Sequence, residues 1–186
     1  MKKNIEDYIG HFKGIIPKYF CETLMNELDN QNRWEKFQWN NNWEKTDEDE
    51  ESPLYKTFSD NDEFLDNATK QMFQDYINTF NLPWFKPEPL RTSVIQYNKY
   101  LPGAKLENHC DHIHSLFDGT RQGVPILSMV GILNDDYEGG EMIFCDDVHM
   151  DLKQGDVIIF PSIFLYPHTV ETITKGNRYS FVRWGW

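Results

Sequence analysis

Three side chains in the second half of the chain have the chemistry of a metal centre. His109 and Asp111 are one residue apart. On an extended strand alternate side chains share a face, so this imidazole and carboxylate point the same way while Cys110 points to the other. A strand from Glu107 to Ile113 would therefore present both to one ion. A third donor must come from later in the chain, where only His149 and His168 remain. His168, in the strand-like segment YPHTV, is the better placed. Two imidazoles and one carboxylate bind Fe(II) on one face and leave other coordination positions open.

The elements that must position these groups are legible in outline. Phe20, Leu24 and Leu28 repeat every four residues, so 20–31 reads as a short amphipathic helix. Phe64, Ala68, Met72, Tyr76 and Phe80, joined by Leu65, Phe73 and Ile77, predict a second. Asp60 with Glu63 forms a capping box before it, and Asn81 with Pro83 stops it. Trp34, Phe37, Trp39 and Trp43 crowd the segment between the helices and are expected to pack on the core. From Arg91 onward the texture changes. RTSVIQYNKY, VPILSMVGIL, EMIFCDD, GDVIIF and RYSFVRWGW are β-rich and separated by turn signals at Pro102-Gly103, Asn134-Asp135, Gly139-Gly140, Gln154-Gly155 and Lys175-Gly176-Asn177. Strands at that spacing without intervening helices predict an antiparallel sandwich or barrel.

Composition narrows the class. The 186 residues are 39% hydrophobic and 15% aromatic, enough for a core within one domain. A net charge of −12 opposes binding to phosphate backbones, which needs clustered Lys and Arg, so no nucleic-acid partner is expected. Residues 47–51 are all acidic and read as a solvated loop. No apolar run is long enough to span a bilayer, and MKKNIEDYIGHFKG has no signal-peptide core, so the expectation is a cytoplasmic protein with no membrane partner. Cys21, Cys110 and Cys145 are odd in number, widely spaced and free of CxxC, which fits a reducing compartment.

The order YLPG, HCD, NDDYEGGE, GDVIIFPS, PHTV and KGNRYS resembles the prolyl 4-hydroxylase-like branch of the 2-oxoglutarate/Fe(II) dioxygenase family, from about Arg91 to Trp186. IIPKYFCETLMNEL is similar to the opening strand and helix of that family. The resemblance implies an α+β, mainly β fold: a double-stranded β-helix, or jelly roll, with N-terminal supporting helices. Residues 1–186 are then one domain, with 1–90 a helical support region and 91–186 the core with the metal site.

The same resemblance assigns the iron to His109, Asp111 and His168. It places Arg178 where the branch has a basic residue, often lysine, for the distal carboxylate of 2-oxoglutarate. A guanidinium stays charged and can grip a carboxylate through two parallel hydrogen bonds. Ser180, two residues on, shares its strand face, and Tyr100 matches a position lining the co-substrate pocket. The family commonly has a tyrosine three residues before its HxD, where this chain has Leu106. Tyr100 or Tyr97 is then expected to stand in for it. The implied chemistry consumes 2-oxoglutarate and O₂, releases succinate and CO₂, hydroxylates an unactivated C–H bond, and is sustained by ascorbate. A peptidyl proline in a protein or peptide is the first substrate choice, and a small molecule or another side chain the second.

Other residues have blander readings. His112 and His114 form an HxH on the opposite face and read as surface residues or as support behind the ligands; the alternative is a non-catalytic, cupin-like metal site with His168, although the Glu that cupins carry soon after the HxH is missing. Gly139 and Gly140 read as turn glycines, Glu141 as structural and Cys110 as a small core residue. Arg183 or Trp184 is expected to border the substrate entrance.

Overall fold

In the computed structural model of the protein, residues 4–37, 52–59, 63–80, 90–111 and 125–186 are described. Asp60, Asn81, Pro83, Trp39, Trp43, the acidic run 47–51, Arg121, His112 and His114 lie outside them. A 3-10 turn at Ile5–Tyr8 leads into β1 (Gly10–Phe12), α1 (Lys18–Gln31), β2 (Glu35–Lys36), β3 (Leu54–Ser59) and α2 (Glu63–Phe80). The β-rich half supplies β4 (Ile95–Tyr100), β5 (Leu106–His109), β6 (Leu127–Ile132), β7 (Glu138–Gly139), β8 (Met142–Phe144), β9 (Val148–Met150), β10 (Val157–Pro161), β11 (His168–Val170), β12 (Ile173–Lys175) and β13 (Arg178–Gly185).

The strands form a major sheet in the order β1-β10-β6-β13-β4-β3-β2, a minor sheet β5-β11-β8-β9, and a small β12-β7 ribbon. Every pairing between these strands is antiparallel. This is the jelly-roll architecture.

Alternation along the central strands builds two cores. On one face of the major sheet Ile95, Tyr97, Leu127, Met129, Val157, Ile159, Tyr179 and Phe181 pack against Cys21, Leu24 and Leu28 of α1 and Leu65, Met72, Phe73, Tyr76 and Ile77 of α2. On the other, Val130, Ile132, Ile158 and Phe160 meet Met142 and Phe144 of the minor sheet. Both predicted helices are present. The buried stripe of α2 runs through Leu65, Thr69, Met72 and Phe73, whereas Phe64 is 48% exposed and meets Phe20 in a tilted ring contact at 4.7 Å. Of the tryptophan-rich segment, Trp34 packs on the core, its Nε1–H donating to Asp29, and Phe37 packs against the Tyr100 cluster.

Arg183 departs from the expectation that it borders an entrance. Arg178 and Arg183 are five residues apart on one strand, so they face opposite sides of the sheet. Arg183 is buried on the helix side, where it donates to the Asp66 carboxylate at 2.6 Å, to the hydroxyls of Thr69 and Thr92, and to the Ser93 carbonyl. It ties α2 to the sheet. Replacing Arg183 with Met is expected to cost about 2–3 kcal/mol, the scale for losing its charge-assisted bonds to Asp66. A lower urea midpoint at unchanged slope is the expected readout.

Candidate metal centre and co-substrate pocket

The strand carrying the first ligand is shorter than its sequence suggested. β5 ends at His109, and Cys110 and Asp111 follow outside the ladder. Cys110 is half-buried, not a core residue. The three donors nonetheless converge. His168 on β11 is the direct cross-strand partner of His109, with ring centroids 4.3 Å apart. Asp111 Oδ1 lies 3.5 Å from His109 Nε2 and 3.9 Å from His168 Nε2. One ligand atom from each of the three residues falls within 4.8 Å of the others, the only such group among the described residues. His149 is not part of it: its Nδ1 pairs with Glu141 at the surface.

Both imidazoles are oriented from behind. His109 Nδ1 lies 2.7 Å from the Glu107 carbonyl and His168 Nδ1 lies 3.1 Å from the Tyr166 carbonyl. A carbonyl only accepts, so each Nδ1 carries the proton and each Nε2 presents a lone pair. Phe144 and Phe160 wall His168 at 5.2 and 5.0 Å. Burial lowers the pKa of His168 to about 4, so the ring is neutral at physiological pH. For Asp111 burial works upward, but the His109 side chain, the charges of His168 and His109 and the Ser128 hydroxyl outweigh it, and the carboxyl sits well below its usual range. A neutral His168 beside an ionised Asp111 is the pairing a divalent metal requires.

The second feature lies on the same inner face. Arg178 opens β13 and is 1% exposed. Its Nη1 donates to Ser180 at 3.2 Å, and its guanidinium carbon stands 4.8 Å from the centroid of the Tyr100 ring. No carboxylate among the described residues pairs with it, and its Nε is buried without a hydrogen-bond partner. That is a donor array waiting for an acceptor. Burial raises the Tyr100 pKa, with Arg178 opposing and Asp111 adding to the rise, so Tyr100 lies within reach of both charges. Gly140 keeps this end open: its φ is +68°, and a Cβ there would stand 3.1 Å from Arg178 Cδ. Tyr97 belongs to the helix-side core, so Tyr100 alone of the two can serve for the tyrosine that Leu106 replaces.

Residues 95–186 match the model of the 2OG-Fe(II) oxygenase superfamily. The chain belongs to that superfamily. It is a 2-oxoglutarate-dependent dioxygenase, and its donor sets fit Fe(II) and 2-oxoglutarate. No curated protein matches the sequence. Solved structures resemble the oxygenase across nearly its whole length. The viral collagen prolyl hydroxylase of Paramecium Bursaria Chlorella virus-1, in complex with 2OG, has a TM-score of 0.71 at 15% identity, covering 96% of this chain and 94% of that one. A Pseudomonas putida prolyl-4-hydroxylase has a TM-score of 0.67 at 17% identity, covering 95% and 91%. A Trichoplax adhaerens prolyl hydroxylase in complex with a hypoxia inducible factor peptide has a TM-score of 0.67 at 13% identity, covering 96% and 83%. At these identities the likeness shows the fold.

Reading the sequence missed Phe144 and Phe160 beside His168 in the candidate metal centre, and the buried Ser128–Ser162 pair. Ser128 had a signal: it is the one polar side chain in the apolar run of β6, LSMVGI. Among the described residues, no helix is long and apolar enough to cross a membrane.

Proposed function

We propose that the protein, as one domain over residues 1–186, hydroxylates a peptidyl proline, with Fe(II) on His109, Asp111 and His168. Arg178, with Ser180 and Tyr100, holds the distal carboxylate of 2-oxoglutarate. The reading rests on one observation. Two imidazoles and an ionised carboxylate converge on the inner face that also buries a guanidinium whose Nε has no hydrogen-bond partner.

Iron with 2-oxoglutarate and O₂ supplies oxidative decarboxylation and the oxygen atom that enters the C–H bond. The chain's own part is positional. His109, Asp111 and His168 would hold the ion and leave coordination positions for the co-substrate and O₂. Arg178 and Ser180 fix the co-substrate by its far end, so that the near end has one orientation. Phe144, Phe160 and Val130 keep the wall dry. Ascorbate is the reductant expected to sustain turnover.

A polypeptide substrate is supported by the turn that leads into His168, where Ile163, Phe164 and Leu165 are 37%, 72% and 47% exposed. An extended proline-containing segment loses little entropy on docking to such an apolar ledge. The net charge of −12 favours neutral or cationic peptides. With iron, ascorbate and 2-oxoglutarate supplied, proline-containing peptides are expected to stimulate succinate release and to gain one oxygen on proline by mass spectrometry. If free metabolites stimulate turnover and no peptide does, the prolyl assignment is wrong while the dioxygenase class stands.

A further inference from the structure

Strand β4 carries two polar side chains that have no part in the assignments above. Gln96 and Asn98 alternate with Ile95 and Tyr97, which enter the helix-side core, so both carboxamides share the inner face with Tyr100. They are 7% and 4% exposed. Asn98 is the cross-strand partner of Ser180, and Gln96 that of Val182. Val182 packs on the wall that contains Phe160, whose ring meets His168. On its other side Gln96 faces Phe58 of β3, which is 41% exposed. This row of side chains therefore runs from the wall beside His168 to the surface, with Gln96 midway.

Gln96 Nε2 donates to Asn98 Oδ1 at 2.9 Å, and among the described residues no other hydrogen bond engages either carboxamide. The Gln96 carbonyl is left as an acceptor and the Asn98 amino group as a donor. Exchanging N and O in both groups reverses their mutual bond and leaves the same complement, one donor and one acceptor. Burying such groups without partners is costly, and an apolar pair would avoid that cost. An anion would need donors only, and a cation acceptors only. One donor beside one acceptor matches a single residue of an extended polypeptide, whose N–H and C=O point to the same side.

We propose that Gln96 and Asn98 dock the backbone of the substrate peptide: one residue of the extended chain donates its N–H to Gln96, and its C=O accepts from Asn98. This rests on the peptidyl reading above. The docked residue is not proline, which has no N–H to give, so it flanks the target in sequence. The pair thereby sets the register in which the target proline meets the metal, and it excludes a second proline at the docked position.

The test is isothermal titration of peptides into anaerobic protein supplied with 2-oxoglutarate and with Co(II) in place of Fe(II). The probes are a set of proline-containing peptides, led by an alanine peptide with a central proline and a lysine at each end. In a second series each remaining backbone N–H is replaced in turn by an N-methyl group. In the wild type, N-methylation at one position beside the proline is expected to weaken binding about tenfold, the scale for losing one hydrogen bond and stranding its acceptor. The Gln96→Leu/Asn98→Leu double variant leaves neither carboxamide stranded. It should bind the unmodified peptide about tenfold more weakly or worse, and the same N-methyl group should then change affinity by no more than about twofold. Leu is of similar volume, so a clash with the methyl group would persist in the variant, whereas a hydrogen-bond effect would vanish. A purely structural pair would leave the N-methyl pattern of the folded variant unchanged, and that result overturns the proposal. A flat pattern in the wild type also overturns it, since water alone would then satisfy the pair. Loss of 2-oxoglutarate binding with peptide affinity retained would place the pair in the co-substrate pocket and overturn it as well. Should the double variant not fold, Gln96→Met takes its place, and a wild-type pattern in Gln96→Met overturns the proposal. If no peptide of the set binds the wild type, the peptidyl reading falls, and this proposal with it.

Discussion

Arg178→Ala is expected to weaken 2-oxoglutarate binding by roughly thirtyfold or more, the equivalent of about 2–4 kcal/mol for a bidentate charge-assisted pair. A guanidinium that is 1% exposed donates to Ser180 and has the Tyr100 ring against its face. With no carboxylate partner among the described residues, much of its desolvation is left uncompensated. A dianionic ligand supplies that compensation on binding. Two further results follow. Arg178→Lys should lose less than Arg178→Ala, because a point charge remains but the fork is gone. Arg178→Met, which fills the space without a charge, should leave the unfolding midpoint of the free protein equal or higher while abolishing tight co-substrate binding. Isothermal titration and thermal unfolding of the same preparations check both. Unchanged affinity in Arg178→Ala would mean another base does the work. Arg183 is a poor substitute, since α2 already engages it.

The largest expected effect is at the metal. Asp111→Ala and His168→Ala should each reduce Fe(II) affinity by at least about a hundredfold, because losing a ligand costs more than losing the group that orients one. Anaerobic metal analysis should find about one iron per chain in the wild type and far less in either variant. His149→Ala is the control expected to keep its iron, since His149 pairs with Glu141 at the surface. If Asp111→Ala and His168→Ala retained iron while His112→Ala and His114→Ala lost it, the ion would belong to the alternative histidine pair. Asp111 also contributes the negative charge nearest the two imidazoles. Asp111→Asn, which keeps the shape and removes that charge, should therefore behave like Asp111→Ala toward iron.

The order of the two helices could be read from periodicity, because burial imposes a repeat of about 3.6 on a helix, and that of the principal β-strands from β-rich segments set between turn signals. Candidate donors could be named as well, since few residue types hold a divalent metal, and the structure brings His109, Asp111 and His168 within 4.8 Å of one another. Where those patterns ended was not legible. The alternation that would continue β5 to Ile113 stops at His109, because its ladder runs only where β11 offers partners. Asp111 reaches the site from outside the strand, and its geometry is a matter of tertiary packing.

Type alone could not separate Arg178 from Arg183. Both sit on β13, and only the sheet's two coverings, helices on one face and the minor sheet on the other, make one a tie to α2 and the other a buried cation beside Tyr100. Tyr97 and Tyr100 part in the same way, three residues and one face apart. Ser128 and Ser162, 34 residues apart in sequence, meet because β6 and β10 pair in register. By itself the sequence determined the chemistry this protein has available, since donor types and repeat periods are local properties. Which side chains face one another across the sandwich was decided only when two sheets and two helices closed on each other, because strand register and the covering of each face are set by contacts between distant segments.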